Sequence, residues 1–316
     1  MVQQLSTVPQ GAPIGGRKKS SRGKLMVSLC LQLVAMLGLA FLLYPSASDW
    51  FATRNHNADV SGYARQVEHM PSGEKIDLLD SAREYNTNIP QGVLRDPYSR
   101  TTLDDAFSND DSYQSYLSKL SVGDDDTVGE VVYPGLGISL PIYHGTSDDV
   151  LSKGVGHLYG SSLPVGGAST HSVMTSHSGL VHASLFTKLL DAQIDDIFNV
   201  SVLGEVMYYQ VRSVEEVLPE QTSSLQIIEG EDWVTLLTCS PIGINSHRFL
   251  VHAERIPAPP QDFDTVIAGD GVLAGFSWWA VQFVAGSAVV AWLIFRPTPS
   301  KPKHALKRQH TRGVEK

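Results

Sequence analysis

The chain has 316 residues, two cysteines and a formal net charge of −9. That length allows one large domain, or two small ones with membrane segments. Two cysteines exclude a disulfide-rich scaffold, and the acidic balance argues against a nucleic-acid partner.

The charge is unevenly placed. Residues 1–24 carry five basic side chains (Arg17, Lys18, Lys19, Arg22, Lys24) and no acid. From Arg296 to Lys316 there are seven basic residues and one acid, Glu315. Residues 1–16 are polar with Gly and Pro, a composition of disorder. Residues 25–44 follow as twenty uncharged, mostly apolar positions, enough for a helix to cross a hydrocarbon core. A second uncharged stretch, 271–295, carries Trp278, Trp279 and Trp292 towards its ends, where amphipathic rings suit the interface. Basic tails outside both stretches predict a two-pass plasma-membrane protein with both termini cytoplasmic and residues 45–270 outside. A cleaved signal peptide is the competing reading of the first stretch. Its length and the weak small-residue site at 44–48 favour an uncleaved anchor.

The middle of the chain begins with helical patterns at 59–70 and 72–86. In the second, Ile76, Leu79, Ala82 and Tyr85 recur at three-residue steps and predict one apolar face. Ser72 is placed to cap its start, Glu74 lies in the first turn, and Pro90 and Gly92 end it. Residues 92–111 form a polar loop with no apolar period, long enough to suggest a function. Within it, Asp96-Pro97-Tyr98 makes a compact turn with one acid and one aromatic. An ordinary Asp-Pro turn is the simpler reading.

From Val128 the texture becomes short β-rich runs between Gly and Pro. Seven strands are predicted: 128–134, 137–143, 169–177, 196–204, 205–219, 233–239 and 247–256. Their spacing points to a closed or nearly closed barrel, mostly antiparallel. Two short helices fit between them. One is 147–154, capped by Ser147 and stopped by Gly154; the other is 182–190. Residues 257–260, Pro-Ala-Pro-Pro, stiffen the exit into a linker.

Cys30 lies inside the first apolar stretch, so Cys239 is the one thiol in the outer region. An intrachain disulfide there is impossible. Cys239 and Arg248 sit in two apolar arms around a loop with Pro241 and Gly243. That pattern predicts a strand–loop–strand in which the two residues face each other. A thiol beside a guanidinium has a lowered pKa and is a candidate nucleophile. The alternative is a small core cysteine and a surface arginine. Of the eleven histidines, His177 stands out at a strand end opening into Ser178-Gly179. It would supply the proton shuttle that a cysteine nucleophile needs, and Arg248 the oxyanion contact. No histidine or cysteine pair in the barrel has zinc spacing. No metal or organic cofactor is expected.

These residues resemble a known family. Thr235–Val251, with Cys239 in a TLxTC run and Arg248 nine residues on, is similar to the active-site block of sortases. Residues 140–167 and the strand ending at His177 resemble the class C, pilus-assembling sortases of Gram-positive bacteria. Arg95–Ser99 resembles their lid, placing Asp96, Pro97 and Tyr98 over the site. The likeness runs from about Leu79 to Ile256, and the two-span layout extends it. The sequence departs from the class pattern at Ser176-His177-Ser178-Gly179, at Pro241-Ile242-Gly243 and at Asp195-Asp196. None of these removes a reactive group.

The resemblance implies an eight-stranded sortase β-barrel at 128–256, preceded by a helical segment with the lid at 45–127. A linker would follow at 257–270, with membrane helices at 25–44 and 271–295 and cytoplasmic tails at 1–24 and 296–316. It implies a cysteine transpeptidase acting on LPxTG-like signals of pilin or surface proteins. Cys239 would attack between Thr and Gly, His177 would move the protons, and Arg248 would hold substrate. A Lys amine of another pilin subunit would complete an isopeptide bond. Three alternatives remain. One is a sortase that joins proteins to the cell-wall precursor. Another is a hydrolytic cysteine peptidase, oriented by Asn245. The third is a membrane-anchored binding protein without chemistry.

Overall fold

Short strands with one apolar face bury it by curling into a barrel, because closure leaves no unpaired edge. The computed structural model describes residues 21–89, 94–99, 110–122, 126–259 and 274–296. The expectations placed on residues 1–16, on Pro90 and Gly92, on most of the loop 92–111, on the end of the linker and on the distal tail lie outside these residues.

Five α-helices are described: α1 (Ser21–His69), α2 (Ser72–Thr87), α3 (Asp111–Leu117), α4 (Asp148–Lys153) and α5 (Trp278–Phe295). The strands are β1 (Thr127–Tyr133), β2 (Ile138–His144), β3 (Val155–His157), β4 (Thr170–Thr175), β5 (Ile197–Val202), β6 (Glu205–Val217), β7 (Asp232–Ser240) and β8 (His247–Ile256). They close a barrel in the order β1-β2-β3-β4-β7-β8-β6-β5. The pairs β2–β3 and β4–β7 are parallel and the others antiparallel. The chain forms two units, one ending at Leu43 and resuming at Ala280, the other Tyr44–Trp279. In the first, Gln32 Nε2 donates to Ser287 O at 3.1 Å, and a Cβ on Gly286 would lie 2.8 Å from Leu39. A small residue thus lets two apolar helices approach closely. Both α1 and α5 are long and apolar enough to cross a membrane.

Several local expectations need correction. The 25–44 stretch and the 59–70 pattern are one helix that continues through Pro45. A proline inside a helix costs one backbone bond but does not forbid continuation. α2 is preceded by Pro71 as its cap residue, with no side-chain bond, so Ser72 does not cap it. Leu79 and Ala82 are buried, whereas Ile76 at the same spacing is 56% exposed. The strand β3 was not predicted. Three residues, one of them Gly156, carry too little alternation to show. A Cβ on Gly156 would meet Gly145 O at 2.3 Å, so backbone proximity explains the glycine. The helix α3 was not predicted either; Tyr113 and Tyr116 bury its inner face. The 182–190 pattern is a 3₁₀ segment, Leu185–Asp191. By contrast, Ser147 does cap α4, accepting from Val150 N. Gly154 stops it in an extended conformation, where a Cβ would lie 2.6 Å from the Tyr143 ring.

The core fills the barrel with Val131, Met174, Phe198, Val234, Leu236 and Val251 among others. A smaller cluster lies on the opposite face of β4, β7 and β8: Val173, Leu237 and Leu250, covered by Leu94, Leu158 and Leu225. Alternation along each strand separates the two sets.

Several histidines are buried around this framework. His157 takes hydrogen bonds with Tyr116 Oη at 2.9 Å and Ser162 O at 2.8 Å. His171 bonds Gln226 O and Thr235 Oγ1, and Thr235 in turn bonds His252, which meets Glu215. Burial lowers His144, His157 and His171 from 6.5 to about 4. The unfolded chain therefore binds protons that the folded chain refuses. Stability is full above pH 6.5 and falls as pH drops towards 4, by about 2 kcal/mol per histidine between pH 7 and 5. Urea unfolding of the full chain in detergent at those two pH values checks this, and equal midpoints would contradict it.

Candidate active site

Two registers build the site. In the antiparallel pair β7–β8, Cys239 lies directly opposite Arg248. In the parallel pair β4–β7, Thr175 is level with Leu237. Two residues further along each strand, His177 therefore comes level with Cys239. The ladder continues that far: Ser176 N donates to Leu237 O at 3.3 Å, and Ser178 Oγ donates to Cys239 O at 2.8 Å. A period of two puts Thr175 and His177, Leu237 and Cys239, and Leu250 and Arg248 on the same face. His177, Cys239 and Arg248 thus form one row across three adjacent strands, on the face away from the main core.

A short segment covers that row. Asp96 and Arg248 make a two-pronged pair, Nε to Oδ1 at 2.6 Å and Nη2 to Oδ2 at 2.8 Å. Such forks are the stronger kind of ion pair. Arg248 Nη1 also donates to Asn245 O and His247 O, both at 2.9 Å, which fixes the guanidinium plane. Ser99 N donates to Asp96 O at 3.2 Å and closes the turn around Pro97 and Tyr98. The Tyr98 ring lies 5.5 Å from the His177 ring, with the Arg248 guanidinium 5.0 Å from its centroid. Its hydroxyl donates to Ser176 O at 2.6 Å and accepts from Thr175 Oγ1 at 2.7 Å. Leu94, just upstream, fills the apolar strip beside Leu237 and Leu250. With this cover in place Cys239 is 4% exposed and Arg248 7%.

The electrostatics differ from the sequence expectation. The Cys239 thiol is not lowered; burial pushes it up to about 11. Arg248 pulls the other way, but Asp96 raises it again. The cation that should activate the thiol is occupied by a carboxylate. Burial also pushes His177 down, against a smaller upward pull from Asp148. At neutral pH the covered site therefore holds a neutral thiol and a neutral imidazole.

Sequence reasoning missed Leu94, Thr175 and Thr238, and named Ser176 and Ser178 without giving them a role. Thr238 Oγ1 donates to Ser176 O at 2.8 Å, so the carbonyl before His177 accepts from both Thr238 and Tyr98. No motif marks these hydroxyls as a group. Positions at and beside the departures from the class pattern have local roles, Ser176 Oγ donating to Gly154 O and Ser178 Oγ to Cys239 O. Gly179 has φ +73°, and a Cβ there would lie 2.4 Å from Ile242. Asp195 takes φ +72°, a region that glycine would adopt without strain, and Asp196 accepts from Tyr133 Oη at 2.7 Å. Asn245, weighed as an orienting residue for a peptidase, gives its carbonyl to Arg248.

A closed mixed barrel with a cysteine, a histidine and an arginine aligned at one end defines a class: barrel-built cysteine transpeptidases. A family model described as "Sortase domain" matches residues 131–256. The structure resembles sortase C-1 from Actinomyces oris, with 44% identity, TM-score 0.55, and coverage of 58% of this chain and 99% of that one. It also resembles the pilus-related sortase C of Group B Streptococcus, with 36% identity, TM-score 0.56, and coverage of 62% and 96%. A third likeness is a lid mutant of sortase A from Corynebacterium diphtheriae, with 39% identity, TM-score 0.54, and coverage of 61% and 98%. The chain belongs to the sortase family and is a sortase-type cysteine transpeptidase.

Proposed function

We propose that this chain polymerises pilins, with Cys239 as nucleophile, His177 as proton shuttle and Arg248 as oxyanion donor. The observation that carries the reading is the row His177–Cys239–Arg248 under a cover pinned by Asp96. Two relatives bear sortase C names and one of these is described as pilus-related. In the resting state the cover keeps thiol and imidazole neutral. When it lifts, solvent and an unpaired Arg248 both favour the thiolate, and His177 takes the proton. The thiolate adds to the Thr carbonyl of an LPxTG-like signal, and Arg248 donates to the oxygen that gains charge. His177 returns its proton to the leaving Gly nitrogen as the Thr–Gly bond breaks, leaving a thioester. A Lys amine of a second subunit attacks the thioester, His177 accepts its proton, and Cys239 leaves as an isopeptide bond forms.

Both apolar helices would anchor the enzyme, with the basic tails in the cytoplasm and the barrel outside, beside secreted substrates. The test mixes the full chain with an LPxTG-bearing pilin and either a lysine-bearing pilin acceptor or a cell-wall amine. Pilin ladders with the first acceptor are the expected result. Products with the cell-wall amine alone would assign anchoring instead, and free acid in excess acceptor would assign hydrolysis.

A further inference from the structure

Away from the candidate active site, a cavity of about 410 Å³ opens between the start of the outer part of α1 and the approach to α5. Its wall holds Trp50, Phe276, Trp278 and Trp279 on one side and Lys188 on the other. Trp50 Nε1 donates to Gly275 O at 3.0 Å, and the Trp50 and Trp279 rings lie 6.3 Å apart. Phe276 and Trp278 remain 65% and 66% exposed. In the chain, Trp50 follows the 25–44 apolar stretch by six residues and Trp278 begins α5. Aromatic side chains at those two places suit the headgroup layer of a bilayer.

The one cation in the wall is Lys188, and Arg54 lies outside the lining. Among the described residues no carboxylate lies within ion-pair distance of Lys188 or Arg54. Arg54 stacks 5.2 Å over the Trp50 ring. Lys188 Nζ lies near Gly137, at ordinary contact distance from where a Cβ would stand. The one carboxylate in the wall, Asp49, accepts from Ser184 N at 2.6 Å. Asp49, Thr53 and Leu185 also line a deeper chamber of about 340 Å³ that reaches Asn57. Asn57 is 1% exposed, and its Nδ2 makes no hydrogen bond within the protein. A buried donor without a partner is costly, and a ligand acceptor would relieve it.

We propose that this cavity binds the headgroup of an anionic phospholipid, with the phosphate on Lys188 and a headgroup hydroxyl at Asn57. The unpaired Lys188 ammonium attracts the phosphate, and the exposed aromatics face the acyl chains. A free phosphate would satisfy Lys188 and leave the aromatics in water. The inference rests on α1 and α5 being membrane spans.

The test uses the full chain in neutral detergent, with native mass spectrometry to count retained lipid. Phosphatidylglycerol, phosphatidylcholine and soluble glycerol 3-phosphate are added separately. The wild type should retain phosphatidylglycerol at least fivefold over phosphatidylcholine. Lys188→Glu should lose that preference, and Asn57→Leu should weaken it. Lys75→Glu, an equal charge change on α2, should keep it. Unchanged thermal midpoints show that the variants fold. Equal retention of both lipids, equal loss in Lys188→Glu and Lys75→Glu, or displacement by glycerol 3-phosphate would each overturn the proposal. Flotation with vesicles tests the spans separately.

Discussion

Cys239→Ala is expected to abolish covalent capture of an LPxTG peptide, with the adduct falling at least about 10³-fold below the parent enzyme. The thiol is the sole nucleophile of the row, and the methyl group that replaces it cannot attack. His177→Ala should cost a comparable factor, because residues that act as a unit are not additive. Without it, the leaving Gly nitrogen has no proton donor. Arg248→Ala has a more complex outcome, since it removes both the oxyanion donor and the anchor of the cover. Intact-protein mass spectrometry reads the adduct directly. The comparison belongs in an Asp96→Ala background, so that the cover does not mask the chemistry. An adduct of unchanged yield in Cys239→Ala would assign the chemistry to another group.

Asp96→Ala is expected to speed modification of Cys239 by a small alkylating reagent about tenfold or more at pH 7. The fork between Asp96 and Arg248 is the strongest polar link holding the segment 94–99 to the barrel. Losing one partner of a desolvated charge pair commonly costs 2 kcal/mol or more, roughly 30-fold in the balance between closed and open states. The pH profile supplies a second readout. In the parent, the thiol at about 11 is almost wholly protonated at neutral pH, so the alkylation rate should rise about tenfold per pH unit between 6 and 9. In Asp96→Ala the thiol gains solvent and an unpaired guanidinium, so the same curve should bend at lower pH. An unchanged rate with an unchanged profile would mean that the cover does not control the thiol.

The chemistry of Cys239 and the cover held by Asp96 are separate roles that the fold brings together. Asp96 and Arg248 are 152 positions apart and meet in one fork. The Asp-Pro-Tyr turn is visible as a turn, but nothing local says where it docks. The family resemblance places it over the site; the structure adds the strip of Leu237 and Leu250, which alternation leaves outside the barrel core and Leu94 then covers. Tyr98 stands in the lid motif, but the bonds that its hydroxyl, Thr175 and Thr238 make around the backbone before His177 leave no spacing pattern in the sequence.

Local sequence was sufficient wherever neighbours in the chain are neighbours in space. The Cys239–Arg248 facing follows from one hairpin, and the Ser147 cap of α4 from four consecutive residues. Seven of the strands show because alternation is a local signal; β3, three residues long, has too few positions to alternate. Only the closed barrel decided the rest. Parallel pairing of β4 with β7 crosses some sixty residues, so its register is set by packing of both faces, and that register brings His177 level with Cys239. The protonation state was also a tertiary matter. Proximity to Arg248 alone argues for a lowered thiol pKa, but burial and the carboxylate of Asp96 outweigh it, since a pKa sums the field of every group that folding gathers around the site.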